Sequence, residues 1–205
     1  MSSNTLADET TAASLGDETG FGGDGFASML GAAAAGSDWA WRILVDRYSG
    51  ALLGYLRLRA PDDPDAALSE TWMSAASTIG TFSGDEPAFR SWLFVIAHRR
   101  AVDAARRASR RPVVIEATAT QETSNTALSA EDQALTAMSG EHAMKLLANL
   151  TEDQQSVIAL RVIADLSLEQ TAAIVGKRVG AVKALQKRGL ESLRRQLGGS
   201  RFPSA

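Results

Sequence analysis

The stretch from Ser167 to Lys187 constrains the fold of this chain more than any other, because it meets several packing requirements at fixed offsets. Ser167 and Gln170 have the spacing of a capping box, in which two side chains satisfy backbone N–H groups at the start of a helix. A small residue, Ala172, stands where a second helix would cross closely. The buried side of this first helix would consist of Leu168, Ala172 and Val175.

The continuation of this stretch supplies a turn and a second helix. Gly176 stands where the chain must turn and needs a residue that tolerates positive φ. Val182 and Leu185 would then hold the second helix against the first. The pattern predicts a helix-turn-helix, although a helical hairpin with a solvated basic face would share these features. A glycine inside a helix lowers helix stability by about 1 kcal/mol relative to alanine. The presence of Gly189 therefore indicates a close packing contact at that position.

The second helix leaves a set of basic side chains for solvent or for a ligand: Lys183, Lys187, Arg188 and Arg194. In helix-turn-helix motifs this helix enters the major groove, where basic residues meet phosphates and base edges. DNA binding is therefore the function that this segment favours.

Apolar residues recur at three- and four-residue steps through most of the remaining chain, which predicts an all-α fold. We expect breaks at Ala60–Pro64 and at the turn-rich loop Gly80–Pro87. The helix after that loop would run from Ala88 to Ser109, with Phe89, Trp92, Leu93 and Ile96 on its buried stripe. Helices are predicted near 25–35, from about Asp38 toward the break at Ala60, through Ala67–Ile79, and near 88–109, 128–149, 151–164, 167–175 and 179–197.

Charge is strongly segregated along the chain, although the formal net charge is only −3. Residues 90–111 hold seven arginines against the single acid Asp103, and residues 177–195 hold seven basic residues against Glu191. Between them, residues 112–170 hold nine acids against Lys145 and Arg161. Because local blocks of charge set the field that a polyanion feels, two basic patches indicate two contacts with one nucleic acid.

Several functional classes are disfavoured by what the sequence lacks. It has no cysteine, no His/Cys ligand set, no Gly-rich phosphate loop after a strand and no nucleophile–base spacing. We therefore expect neither an enzyme, nor a metal site, nor a cofactor. The first residues do not resemble a secretory signal, and no apolar run suits a membrane span, so we expect a cytoplasmic protein without membrane insertion.

Two sets of motifs resemble those of one protein family. Thr151-Glu-Asp-Gln-Gln-Ser-Val, Leu166-Ser-Leu-Glu-Gln-Thr-Ala-Ala-Ile-Val-Gly and Gly180-Ala-Val-Lys-Ala-Leu-Gln-Lys-Arg resemble region four of extracytoplasmic-function (ECF) sigma factors. Ser69-Glu-Thr-Trp, Phe82-Ser-Gly-Asp-Glu-Pro-Ala-Phe-Arg-Ser-Trp-Leu and Asp103-Ala-Ala-Arg-Arg resemble region two of the same proteins.

The resemblance implies two small helical domains, a region-two bundle and a C-terminal helix-turn-helix domain, joined by a flexible linker. The expected boundaries are an acidic disordered tail at 1–24, region two at 25–112, a linker at 113–137, region four at 138–198 and a short tail at 199–205. It also implies an alternative sigma factor that directs RNA polymerase to promoters. The expected partners are core RNA polymerase, through its clamp coiled coil and flap, promoter DNA, and an anti-sigma factor.

The resemblance assigns three groups of site residues. Those for the minus-35 element are Lys177, Arg178, Ala181, Lys183, Ala184, Gln186, Lys187 and Arg188. Those for the minus-10 element are Ser83, Asp85, Glu86, Arg90, His98, Arg99, Arg100, Arg106 and Arg107. Those for polymerase docking are Asp65, Leu68, Ser69, Glu70, Trp72 and Met73.

Two other readings stay open from the sequence. A helix-turn-helix regulator that binds duplex DNA without polymerase would share the C-terminal pattern, but it has no need of the basic helix at 88–111. The chain could instead be a partner-binding protein whose basic helices bind an acidic protein. Salt-sensitive binding to promoter duplex would argue against that last reading.

Overall fold

The computed structural model describes residues 23–110, 140 and 142–199, and every regular element within these ranges is helical. The N-terminal domain consists of α1 (Gly23–Ala34), α2 (Asp38–Arg59), α3 (Pro64–Thr78), a 3-10 turn (Ile79–Thr81) and α4 (Glu86–Arg110). The C-terminal domain consists of α5 (residues 142–148), α6 (Glu152–Val162), α7 (Leu168–Val175) and α8 (Val179–Gly199). The all-α prediction is confirmed for this part of the chain.

Some predicted segments fall outside the described residues. The predicted linker 113–137 lies wholly outside them. The helix predicted near 128–149 lies outside them as far as residue 139. The predicted tails 1–24 and 199–205 also lie outside, apart from residues 23, 24 and 199, which are helical. Among the described residues, no helix is both long and apolar enough to cross a membrane.

Short-range signals explain where several helices begin. The Asp63 side chain accepts a hydrogen bond from the backbone N–H of Ala66, and Pro64 occupies the first turn of α3, where a missing N–H costs nothing. Thr151 and Gln154 form a complete capping box at α6. Ser37 stands at the N-cap of α2, but its side chain makes no capping hydrogen bond.

The N-terminal core is built around the aromatic ring of Phe89, which is fully buried. The rings of Phe26, Tyr48, Phe82 and Trp92 have centroids 5.4–5.6 Å from it. These contacts join α1, α2, the loop after the 3-10 turn and α4. Since aromatic pairs stabilise beyond their buried area, this cluster fixes the loop and the first turns of α4 against the rest of the domain.

The buried stripe of α4 is wider than the spacing predicted. Phe89 and Leu93 are fully buried as expected, whereas Trp92 and Ile96 are only partly buried. Phe94, Ala97 and Ala101 are also buried. The reason is that α4 is covered from several sides, by α2 and α3 within its own domain and by α7 of the other domain.

The helix-turn-helix prediction is confirmed, but the buried side of α7 consists of Thr171, Ala172 and Ile174, whereas Leu168 and Val175 are only partly buried. Ser167 and Gln170 form a complete capping box, and Gly176 has φ +65°, the left-handed conformation that ends α7. Val157 of α6 packs with Ala172 of α7 and with Val182 and Leu185 of α8 in one apolar cluster. The small core between these three helices therefore fixes the orientation of α8.

The close contact predicted at Gly189 is also present. A Cβ placed there would lie 3.0 Å from Cγ1 and 3.4 Å from Cδ1 of Ile158, which is buried, and 3.6 Å from Cβ of Gln154. Gly180, in the same helix, has no heavy atom within 4 Å of the same position. Gly180 and Gly189 thus differ in whether a neighbouring helix packs closely against them.

This difference predicts opposite outcomes for the same substitution. Gly180→Ala should raise the free energy of unfolding by up to about 1 kcal/mol, the value for a helix interior, because alanine is the better helix former and Gly180 lies in the first turn of α8. Gly189→Ala gains the same propensity but forces Ile158 to move, and overpacking costs about 1–3 kcal/mol. We therefore expect Gly189→Ala to be less stable than Gly180→Ala by about 1–3 kcal/mol in urea unfolding monitored by circular dichroism. Equal stability of the two variants would contradict the packing role of Gly189.

Candidate nucleic-acid interface

The outer face of α8 carries the residues predicted to contact the minus-35 element. Val182 and Leu185 point into the core, so the helix leaves its other faces to solvent. The exposed members of the predicted set are Arg178, Ala181, Lys183, Ala184, Lys187 and Arg188, whereas Lys177 and Gln186 are partly buried. The exposed set combines positive charge with two alanines small enough to allow close approach to a groove.

Two lysines of this surface have intramolecular partners. The Nζ atom of Lys177 lies 2.9 Å from Oδ2 of Asp153, which ties the turn before α8 to α6. The Nζ atom of Lys187 lies 3.9 Å from Oε1 of Glu191, one turn further along α8. Exposed pairs of this kind contribute about 0–1 kcal/mol, so neither removes a lysine from use by a phosphate.

The loop before α4 holds the acidic residues predicted for the minus-10 element. Ser83 and Asp85 are exposed, and Oδ1 of Asp85 accepts a hydrogen bond from the backbone N–H of Ala88 at 2.9 Å. Gly84 has φ +154°, and a Cβ there would lie 3.0 Å from Cβ of Ala88 and 3.1 Å from the Phe82 ring. The loop therefore has a fixed shape and needs its glycine.

Glu86 is the centre of a small ion-pair network at the start of α4. Its Oε1 atom lies 2.6 Å from Nη2 of Arg47 and 3.3 Å from Nη2 of Arg90, and it accepts a hydrogen bond from the Tyr48 hydroxyl at 3.3 Å. Burial, together with the Glu86 carboxylate, raises the pKa of Tyr48 to about 12. The geometry thus gives Glu86 a role in joining α2 to α4.

The arginines of α4 divide into two kinds. Arg99 and Arg106 are exposed, whereas Arg100 is partly buried and donates from Nε and Nη2 to Oγ of Ser74 at 3.1 and 2.7 Å. Arg107 is exposed, and its guanidinium pairs with the carboxylate of Glu70. This pairing holds the pKa of the Glu70 carboxyl below its usual range. Asp103 stands four residues before Arg107, at the spacing of a helical ion pair, but the carboxylate that pairs with Arg107 is on α3.

His98 is turned toward the interior. The sequence favoured a surface or DNA-proximal position, but the ring is partly buried and its Nδ1 lies 2.7 Å from the hydroxyl of the fully buried Tyr55. Burial, and then the nearby charge of Arg59, lowers the pKa of His98. A neutral histidine that is hydrogen-bonded inside the domain is a poor phosphate ligand, so a DNA contact for His98 stays only a prediction.

The docking residues predicted on α3 lie on two sides of that helix. Asp65, Ser69 and Met73 are exposed at four-residue intervals, which places them on one face, and Met73 is 64% exposed. Trp72 instead turns toward α2, where its Nε1 donates to Oγ of Ser49 at 3.0 Å. Leu68 and Glu70 are partly buried. The structure therefore offers a partner an exposed face with an apolar side chain, Met73, at one end.

The two domains pack against each other through α2 and α4 on one side and α6 and α7 on the other. Apolar residues of the C-terminal domain join the N-terminal core: Ala159, Leu160, Ala164, Leu166 and Ile174. A Cβ at Gly54 of α2 would lie only 3.5 Å from Cγ2 of Ile163. The sequence analysis missed this interface, since helical periodicity does not show which faces of separate domains meet.

Polar contacts surround this apolar interface. Arg59 of α2 pairs with Glu152 of α6, and Nη1 of Arg90 lies 3.3 Å from Oδ2 of Asp165. Asp165 has φ +50°, alone among the non-glycine residues that the structure describes. Nε2 of Gln170 donates to the carbonyl oxygen of Pro87 at 3.3 Å. The turn before α7 and the start of α7 therefore cover part of the surface predicted to contact the minus-10 element.

Comparisons with known proteins agree with this arrangement of helices. The family model for sigma-70 region 2 matches residues 44–111, and that for sigma-70 region 4 matches residues 146–195. The ECF RNA polymerase sigma factor SigD of Mycobacterium tuberculosis is 30% identical over 76% of this chain and 73% of its own length. The chain belongs to the ECF sigma factors.

Other similar proteins differ in length or in sequence. The ECF RNA polymerase sigma factor BldN of Streptomyces coelicolor is 31% identical over 80% of this chain, and the chain spans only 63% of that relative. The structure of the sigma factor RpoE with the anti-sigma factor NepR from Bartonella quintana superposes with a TM-score of 0.57. That match covers 78% of this chain and 98% of the other at 23% identity, so it supports the fold of this sigma factor.

The family regions can be placed on the helices of this sigma factor. The region 2 match begins at Leu44 within α2 and ends just after α4, so it includes the loop with Gly84 and the arginines of α4. The region 4 match begins within α5 and ends within α8, so it includes the whole helix-turn-helix. Both candidate DNA surfaces thus lie within the matched regions.

Proposed function

We propose that this chain is an alternative sigma factor that binds core RNA polymerase, directs it to particular promoters and promotes their opening. The observation that carries this proposal is the presence of two separate basic surfaces, on α8 and on α4, each within a region matched by a sigma-70 family model. A regulator that acts alone would need only one of them.

The C-terminal domain would recognise the upstream, minus-35 element. Its α8 would lie in the major groove with Lys183, Lys187 and Arg188 toward phosphates and base edges, because the opposite side of the helix is held by the core. Ala181 and Ala184 would allow the backbone of α8 to approach the bases. The α6–α7 packing would set the angle at which the helix enters.

The N-terminal domain would hold the minus-10 element in its melted form. Extrusion of a base costs a few kcal/mol, so a rigid binding surface and nearby cations are needed to stabilise the open strand. The loop fixed by Gly84 and Asp85 supplies the rigid surface, and Arg99 and Arg106 of α4 supply exposed positive charge. Arg90 and Arg100 would contribute after they leave their present partners.

The exposed face of α3 would dock on the clamp coiled coil of the polymerase. Met73 supplies an exposed apolar contact at one end of this face, and Ser69 and Asp65 continue the face toward the start of α3. The polymerase flap is the proposed partner of the C-terminal domain. An anti-sigma factor is a further proposed partner, in line with the family resemblance.

This function requires the two domains to separate. The minus-35 and minus-10 elements are about 25 base pairs apart, which at about 3.4 Å per base pair is about 85 Å of duplex. A domain of about 100 residues has a radius of gyration of about 13 Å, so two domains in contact cannot reach both elements at once. The interface between α2–α4 and α6–α7 therefore has to open on the way to the promoter complex.

Run-off transcription with purified core RNA polymerase tests the proposal. With genomic promoter fragments as templates, we expect the chain to produce transcripts with defined start sites that core polymerase alone does not produce. The competing function is a helix-turn-helix regulator, which the confirmed C-terminal motif would suit equally well. No defined start on any fragment, combined with tight and sequence-specific duplex binding by the chain alone, would decide for the regulator.

A further inference from the structure

The Glu70–Arg107 pair joins the helix proposed to dock on polymerase to the helix proposed to bind DNA. Nη1 of Arg107 donates to Oε1 of Glu70 at 3.1 Å, and Nη2 donates to Oε2 at 3.0 Å. The two groups therefore meet in the parallel, bidentate geometry that gives arginine–carboxylate pairs their strength and direction. The pair spans an open groove between α3 and α4 of about 690 Å³, whose walls include Met73 and Arg100.

The guanidinium of Arg107 has no edge left for a second bidentate partner. Its Nη1–Nη2 edge is taken by Glu70, and its Nε donates to the backbone carbonyl oxygen of Asp103 at 3.3 Å. A phosphate that approached Arg107 in this state would meet a carboxylate beside the cation. Arg107 can thus offer a bidentate contact to the DNA backbone only after Glu70 releases it.

Glu70 is constrained in the same way. Both of its carboxylate oxygens accept from Arg107, and its side chain is 30% exposed, so a solvent-borne or protein-borne cation could still reach it. The exposed side chain of Met73 borders the same groove. A partner that covered Met73 and presented a basic group to Glu70 would compete directly with Arg107.

We propose that the Glu70–Arg107 pair is a latch that couples docking on polymerase to the capture of the DNA backbone. This proposal rests on the proposed function, because it takes α3 as the docking helix and α4 as the DNA helix. Docking draws Glu70 away and frees Arg107 for a phosphate of the melted strand. Since coupling free energies are reciprocal, DNA that holds Arg107 must strengthen docking by the same factor. An exposed ion pair limits that factor to about fivefold.

A double-mutant cycle with single-stranded DNA tests the latch without polymerase. The probe is a fluorescein-labelled single-stranded oligonucleotide titrated at several KCl concentrations. Glu70→Gln should raise the affinity of the free chain by about threefold to fivefold, because it frees one cation. The salt dependence should steepen by about 0.7, the value for one additional phosphate contact on a single strand.

Asp103→Asn is the matched control, because it removes the same charge from the same groove while the Arg107–Glu70 bonds remain. We expect it to change the affinity less than Glu70→Gln does. When Arg107 is already replaced by glutamine, adding Glu70→Gln should change the affinity for the oligonucleotide no more than adding Asp103→Asn does. Equal effects of the two substitutions in the parent chain would overturn the latch. A loss of affinity with Glu70→Gln would also overturn it, since Glu70 would then position Arg107 for DNA.

Binding to purified core RNA polymerase supplies the reciprocal measurement. Arg107→Gln should strengthen binding by about threefold to fivefold, because it leaves Glu70 free for the polymerase. Glu70→Gln should weaken it. If the parent chain does not bind core polymerase at all, the proposed function fails, whereas the DNA cycle still decides whether the pair restrains Arg107. If the parent chain binds core polymerase but Arg107→Gln leaves that affinity unchanged, the proposed coupling between docking and DNA binding is wrong. The proposed sigma-factor function would not be affected by that result.

Discussion

A disulfide between positions 54 and 163 should reduce promoter-directed run-off transcription to the background of core polymerase alone. The chain has no cysteine of its own, so this is the only disulfide that can form within one molecule of the variant Gly54→Cys/Ile163→Cys. A Cβ at position 54 would lie 3.5 Å from Cγ2 of Ile163, so the side chains at these two positions are in direct contact, as a disulfide requires. The bond would fix α2 to the end of α6 and keep the domains together.

The expected loss follows from distance alone. Domains held in contact cannot occupy two elements about 85 Å apart on duplex DNA. Dithiothreitol should restore transcription, and each single-cysteine variant should be active whether oxidised or reduced. Circular dichroism should show the same helix content in both redox states. Loss of transcription would then come from the inability of the domains to separate and not from unfolding. Full run-off activity of the oxidised double variant would show that the packed arrangement does not have to open.

The helix-turn-helix could be predicted from sequence almost residue by residue, because its determinants are local. The Ser167–Gln170 capping box and the left-handed turn at Gly176 depend on side chains and dihedral angles within a few residues. The crowding at Gly189 could be inferred as well, since an internal helical glycine costs stability unless a neighbour requires it. The Thr151–Gln154 capping box at α6 has the same signature but was not identified.

The relations between distant residues could not be predicted in this way. Helical spacing reveals only neighbours three or four positions apart, so it indicates Asp103 as the acidic partner of Arg107. Its actual partner is Glu70, 37 positions earlier in the chain. The position of His98 next to Arg99 in the sequence indicates a surface site, but in the structure its ring is hydrogen-bonded to the hydroxyl of the buried Tyr55. Tertiary packing decides these positions, and a single sequence carries no record of it.

The domain interface shows the same limit on a larger scale. Gly54 lies in an unremarkable helical stretch, and Asp165 lies in a short connection between two helices. Their importance comes from what faces them, Ile163 for the first and Arg90 for the second. The surface predicted for the minus-10 element could therefore be located along α4, but its partial cover by the C-terminal domain could not.

Neutralising two lysines of α8 should weaken duplex binding strongly and change its salt dependence. In Lys183→Gln/Lys187→Gln, both substituted residues are exposed on the side of α8 away from the core. A hydrogen bond to a charged group contributes about 1.5–3 kcal/mol, so the loss of two phosphate contacts should lower affinity by about a hundredfold or more. The slope of log K against log [salt] should become shallower by about 1.8, because each duplex phosphate contact contributes about 0.9.

The measurement is a titration of a fluorescein-labelled promoter duplex at a series of KCl concentrations. Arg42→Gln/Lys145→Gln is the matched control, since it removes two exposed positive charges from α2 and α5 instead. We expect that control to keep the parent slope, because charges outside the interface release no condensed counterions from DNA. If both double variants change the slope equally, binding follows net charge and α8 is not the helix in the groove. If neither changes it, the basic face of α8 belongs to solvent, and the helix-turn-helix of this chain serves packing alone.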